Sequence, residues 1–175
     1  MTERLVLDAS AALAFLRDEP RRADVVAVLE AHVSAGGILI VPEIFWLEIT
    51  NVQVRRHAMS LHEVLAALRD LDDFGIETVA GDRSLTILGL DLMMAHDLSA
   101  YDAAYLALAV AEGVRILTVD ARLDEAAGSR SILAVSGGLR ENRVPYLSSA
   151  ASGVWATHGA YLAELRSQVE AGILR

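Results

Sequence analysis

"RLVLDASAALAFL" (residues 4–16) joins two kinds of sequence at one acid. "RLVLD" (4–8) is a brief apolar run without strict alternation, the pattern of a strand buried on both faces of a parallel sheet. "SAALAFLRDE", beginning at Ser10, is rich in Ala and Leu and reads as a helix. The same join recurs at "RILTVD" (115–120), where Asp120 ends the run and a helix-forming segment follows. "GILIV" (37–41) and "IETV" (76–79) are two more short strand candidates. Longer helical stretches separate them. "RRADVVAVLEAHV" follows Pro20, and "PEIFWLEITNVQVRRHA" opens with Pro42 at a first helical position. "SLHEVLAALRDLDDFG" has the Ser60/Glu63 spacing of a capping box and stops at Gly75. "DRSLTILGLDLMMAH" and "LSAYDAAYLALAVAEG" (98–113) complete the set. This alternation predicts an α/β sandwich, with helices surrounding a mainly parallel central sheet.

Length and composition narrow the class. A chain of 175 residues fits one domain with a sizeable core. Hydrophobic residues make up 54% and the mean hydropathy is +0.38, yet no apolar block reaches the roughly 18 residues a bilayer span needs. "MTERLVLDAS" does not fit a secretory signal, because Asp8 cuts its apolar run short. The absence of Cys excludes disulfides, thiolate catalysis and Cys-based zinc sites. A cytoplasmic protein without membrane attachment is the expectation. The net charge of −9 argues against binding nucleic acid through one broad basic surface. It leaves room for a local site and for carboxylates that need a cation.

Four acids stand out by context. Asp8 and Asp120 end strand candidates, where chemistry collects in open α/β sheets and where Asp is otherwise scarce. Each is read either as a site acid or as the N-cap of the following helix. Glu48 shares a helix face with Ile44, Asn51, Val52 and Arg55, so that face turns inward or into a cleft, unless Glu48 simply pairs with Arg55. Asp102 opens an apolar helix three residues after Ser99, which is capping-box spacing and also suits the positive end of the helix dipole. Carboxylates gathered in one pocket raise each other's pKa, and a bridging hard cation makes the gathering tolerable. Oxygen-only ligation points to Mg²⁺ or Mn²⁺, and a cation so held suits hydrolysis of a phosphodiester.

The segments around these acids carry a stronger signal. "LVLDASAALAFL", "PEIFWLEITNVQVRR", "LSAYDAAYLALA" and "ILTVDARL", in that order, resemble the four acidic motifs of the PIN-domain ribonucleases, most closely the VapC-type toxins of bacterial toxin–antitoxin pairs. The resemblance covers residue 1 to about 135, so residues 1–136 are assigned to a PIN-like nuclease domain. It implies that Asp8, Glu48, Asp102 and Asp120 form a catalytic, metal-binding acidic site. It further implies that Ser10, Asn51 and Thr118 support them. Asp102 then serves as helix cap and site acid together. The implied activity is Mg²⁺- or Mn²⁺-dependent endoribonuclease cleavage by a metal-activated water. The implied partners are RNA, a second copy of the chain and a cognate antitoxin that places an Arg among the acids. Arg17, Arg21, Arg22, Arg55 and Arg56 flank the motifs and would hold RNA phosphates, although each alone reads as solvated surface.

Two other readings stand beside this one. A silent PIN-like module would bind a partner without cleaving, which four intact acids argue against. A phospho-receiver would phosphorylate a strand-end Asp, but the sequence has no Lys to accompany it. Other acids are read plainly. Asp124 is expected as a surface acid beside Arg122, Asp97 as solvated loop, and the Asp70, Asp72 and Asp73 run as a solvated helix end. Residues 137–175 form an extension past the PIN resemblance. Within it "WATHGAYLAELRSQVEAGI" has the spacing of an amphipathic helix.

Overall fold

The computed structural model describes residues 2–17 and 21–133 of the chain. The described residues all fall within the compact unit Met1–Asn142. The extension expected from residue 137, with its amphipathic helix, lies outside the described residues. Among the described residues, five strands are interspersed with seven helices: β1 (Arg4–Leu7), α1 (Ala9–Leu16), α2 (Arg22–Ser34), β2 (Ile38–Pro42), α3 (Ile44–Asn51), α4 (Leu61–Asp72), β3 (Glu77–Val79), α5 (Arg83–His96), α6 (Ala100–Glu112), β4 (Arg115–Thr118), α7 (Ala121–Ala127) and β5 (Ser131–Leu133). A π-helical turn (Val52–Arg56) continues α3, and a 3₁₀ turn (Gly128–Arg130) precedes β5. The expected α/β architecture is what forms.

All strands pair in parallel, in the order β3-β2-β1-β4-β5. The chain steps outward from β1 to β2 and β3, then crosses back to lay β4 on the other side of β1. That reversal opens a crevice beyond the carboxyl ends of β1 and β4, where open α/β sheets place their ligands. Burial on both faces explains the unbroken apolar runs: Val6, Leu7, Leu39, Ile40, Val41, Ile116 and Leu117 are all fully buried. Helix α6 is the most deeply set, burying Ala103, Tyr105, Leu106, Ala107, Leu108 and Ala109.

Three local expectations are corrected. Pro42 ends β2, paired with Val79, and the helix begins only at Ile44. The β1 ladder stops at Val6↔Ile40, so the missing N–H of Pro42 falls where β1 no longer runs alongside. β5 was not anticipated, because three residues directly after a 3₁₀ turn carry no readable period. Asp124 is buried rather than superficial, and its Oδ1 is enclosed without a hydrogen-bond partner among the described residues. Arg122 pairs instead with Asp97, at 3.1 Å, and both side chains are exposed.

The Ser60 capping box forms in full. The Ser60 hydroxyl accepts the Glu63 N–H, and the Glu63 carboxylate accepts the Ser60 N–H at 2.7 Å. Ser60→Ala should lower stability by about 1 kcal/mol, measured by urea unfolding, and leave the acid crevice untouched.

Candidate active site

Asp8 sits where β1 becomes α1, and its N–H extends the β4 ladder by one bond to Leu117 O at 3.0 Å. It is both an N-cap and a crevice acid. Oδ2 accepts from the Ser10 N–H at 3.2 Å, from the Ser10 hydroxyl, and from the Thr118 hydroxyl at 2.8 Å. Three donors thus hold one oxygen, while among the described residues none donates to Oδ1. Ser10 and Thr118 also fasten the β4 end. The Ser10 hydroxyl accepts the Val119 N–H at 3.1 Å, and the Thr118 hydroxyl accepts the Asp120 N–H at 3.0 Å. Two hydroxyls therefore couple the carboxylate at one strand end to the backbone at the next.

Glu48 reaches the crevice from α3. It does not pair with Arg55. Its Oε2 accepts the Tyr105 hydroxyl at 2.8 Å. Asp102 enters from the first turn of α6, where Ser99 is the N-cap. The Ser99 hydroxyl accepts the Asp102 N–H at 3.1 Å and donates to Asp102 Oδ2 at 2.8 Å. Only half of the expected capping box is built, since the carboxylate takes the hydroxyl and not the Ser99 N–H.

The electrostatics bring three of the four acids together. Burial pushes the Asp8 carboxyl up to about 7; the Ser10 and Thr118 hydrogen bonds oppose this, and the charges of Glu48 and Asp102 add to it. Burial also raises Glu48, against the Tyr105 hydrogen bond and with the charge of Asp102. Asp120 stands apart: its Oδ1 caps α7 by accepting from the Arg122 and Leu123 N–H groups, both at 2.9 Å. It joins the others through Thr118. Asn51 is exposed and hydrogen-bonds to none of the acids.

Among the described residues, no three His, Asp or Glu side chains stand close enough to enclose a cation by themselves. The donors suit a cation held by one or two carboxylates and its own water, which is how Mg²⁺ usually binds. Asp8 Oδ1 without a donor, and the negative charges that help raise Asp8 and Glu48, are what such a cation would satisfy.

The basic flank is more varied than the sequence suggests. Arg22 donates to Phe15 O at 2.9 Å and covers the Phe15 ring, so it seals the end of α1. Arg55 and Arg56 are exposed on the π-helical turn, and Arg17 and Arg21 are half-buried near the start of α2. Phe45 is buried edge-on against Trp46, whose indole N–H donates to Thr78 at 2.9 Å. Tyr105 closes the Tyr-Asp-Ala-x-Tyr core of the third motif, but sequence reasoning gave it no role of its own. It lies three residues after Asp102, on the same helix face, and that spacing was the available signal.

A parallel α/β sheet with acids gathered at its central crevice defines a class in which ligands approach the strand ends. Residues 5–129 match the PIN domain, and the chain belongs to that family, whose members are generally nucleases. No curated protein matches the sequence. Three solved structures share the fold. The chain is similar to VapC20 of Mycobacterium tuberculosis, described as a sarcin-ricin loop cleaving toxin, at 17% identity and TM-score 0.55 over 71% of this chain and 95% of that one. It is similar to VapBC2 from Rickettsia felis, bound to a promoter DNA fragment, at 13% identity and TM-score 0.57 over 74% and 96%. It is also similar to FitAcB from Neisseria gonorrhoeae, at 18% identity and TM-score 0.56 over 74% and 97%.

Proposed function

We propose that this chain is a Mg²⁺- or Mn²⁺-dependent endoribonuclease and the toxin of a toxin–antitoxin pair. The observation that carries the reading is the Asp8–Glu48–Asp102 gathering at the β1/β4 crevice of a PIN fold. When bound, the cation would activate water and offset charge on the phosphate. One or two of Asp8, Glu48 and Asp102 would hold it directly and the rest through its water, with Asp120 beside them on the β4 side. Ser10 and Thr118 fix Asp8 so that Oδ1 faces the reaction without reorganising. Exposed Arg55 and Arg56 supply cationic side chains for RNA phosphates, which a chain of net charge −9 needs locally.

The partner reading has separate support. Leu90 and Met94, one turn apart on α5, are 54% and 80% exposed. Beside them lies an apolar groove of about 440 Å³ lined by Pro42, Ile44, Leu85, Met93 and Ala104, among others. Exposed apolar surface of this kind marks an interface, and we assign it to a second copy of the chain. A solved structure of similar fold, described as a toxin–antitoxin complex from Klebsiella pneumoniae, supports a cognate antitoxin, whose Arg would replace the cation among the acids by charge-assisted bonds. Among the described residues no helix is long and apolar enough to cross a membrane. A cytoplasmic site of action is part of the proposal.

The purified chain should cut total RNA with Mg²⁺ or Mn²⁺ and stop with EDTA. RNA left intact in every cation would overturn the nuclease reading and favour a silent partner-binding module.

A further inference from the structure

Tyr105 has the largest fully buried side chain among the described residues. A buried phenol needs a partner for its hydroxyl, and a Phe would fill the same space without that need. The partner is Glu48, 57 residues earlier, at 2.8 Å. The backbone of Ala9, next to Asp8, also acts on this hydroxyl. One oxygen atom therefore stands between the start of α1 and the acid of α3. Among the described residues, no donor reaches Glu48 Oε1.

We propose that Tyr105 is a positioning residue for the acid site: its hydroxyl fixes one oxygen of Glu48 and leaves the other directed to the cation. This rests on the metal-dependent reading above. Glutamate on a half-buried helix face has several rotamers, and a carboxylate that must be ordered when the cation arrives binds it less well. A hydrogen bond made beforehand removes that cost, as outer partners of metal ligands generally do.

The test compares four full-length proteins: wild type, Tyr105→Phe, Glu48→Ala and the double variant. Mn²⁺ binding is measured by electron paramagnetic resonance, and stability by urea unfolding. Tyr105→Phe should weaken Mn²⁺ binding about 10–100-fold, with RNA cleavage regained at saturating Mn²⁺. In the Glu48→Ala background the same change should add no further loss, because its effect runs through the Glu48 carboxylate. Wild-type Mn²⁺ affinity in Tyr105→Phe, or losses that add, would overturn the proposal. If the wild type itself binds no Mn²⁺, the metal reading fails separately, and the unfolding cycle then decides. A non-additive change of about tenfold or more in the unfolding constant supports the Tyr105–Glu48 link, and strict additivity removes it.

Discussion

Asp8→Asn abolishes Mn²⁺-dependent RNA cleavage and yields a more stable protein at alkaline pH: both results are expected from one carboxylate. The side chain is buried, with Oδ2 held by Ser10 and Thr118 and Oδ1 left to the crevice. Asn keeps an acceptor for those donors and loses the charge that a cation needs. Cleavage should fall by about 10³-fold or more, the scale of removing one preorganised electrostatic group. The stability effect follows from the raised carboxyl, which moves from 3.8 to about 7 on folding. A group whose folded pKa is raised contributes most below its unfolded value, and that contribution is lost as pH climbs through the folded value. The wild type, without cation, should therefore weaken between pH 4 and pH 7, by a ceiling of about 4 kcal/mol. Asp8→Asn should show a flatter profile and exceed the wild type at pH 8. Added Mn²⁺ should restore the wild type and leave the variant unchanged. Urea unfolding across pH, with and without Mn²⁺, measures all three. A variant that still cuts RNA would remove Asp8 from the site.

Much of this arrangement was legible in the sequence, for physical reasons that differ by element. The strand ends at Asp8 and Asp120 could be read because an acid closing a buried apolar run is rare. β1, β2 and β4 show through continuous apolarity, since both sheet faces are covered there. β5 could not be read, for its three residues follow a 3₁₀ turn directly, without a stop such as the Gly75 that precedes β3. The role of Tyr105, though not its place in the third motif, was hidden for another reason: an aromatic residue in an apolar helix looks like core until a distant acid is placed against its hydroxyl. Asp124 was misjudged because helical spacing does not reveal which face of α7 meets the β4–β5 edge. Asp120, read from sequence as site acid or N-cap, lies two residues past β4, and its Oδ1 caps α7 by accepting from the Arg122 and Leu123 N–H groups.

Asp102 is where the cap and the site are expected to come apart under mutation. Its carboxylate accepts the Ser99 hydroxyl at 2.8 Å, while its N–H is the group that Ser99 caps. Asp102→Asn keeps both of those bonds and deletes only the charge. Losing the charge removes a helix-dipole contribution of about 0.3–1 kcal/mol, and it also relieves the repulsion that raises Asp8 and Glu48. The two effects oppose each other, so the melting temperature should move little. Cleavage should fall by about 10²-fold or more and Mn²⁺ binding should weaken, because one acid of the gathering is gone. Ser99→Ala does the reverse. It uncaps α6 at a cost of about 1 kcal/mol, yet the Asp102 charge remains at the crevice, so cleavage should stay within about tenfold of wild type once the protein is folded. Asp70→Asn, at the exposed end of α4, should alter neither quantity. Melting curves, Mn²⁺ titrations and cleavage rates on the same preparations separate the cases. If Asp102→Asn cuts RNA at the wild-type rate and destabilises as Ser99→Ala does, the acid serves only its helix, and the gathering at the β1/β4 crevice reduces to Asp8 and Glu48.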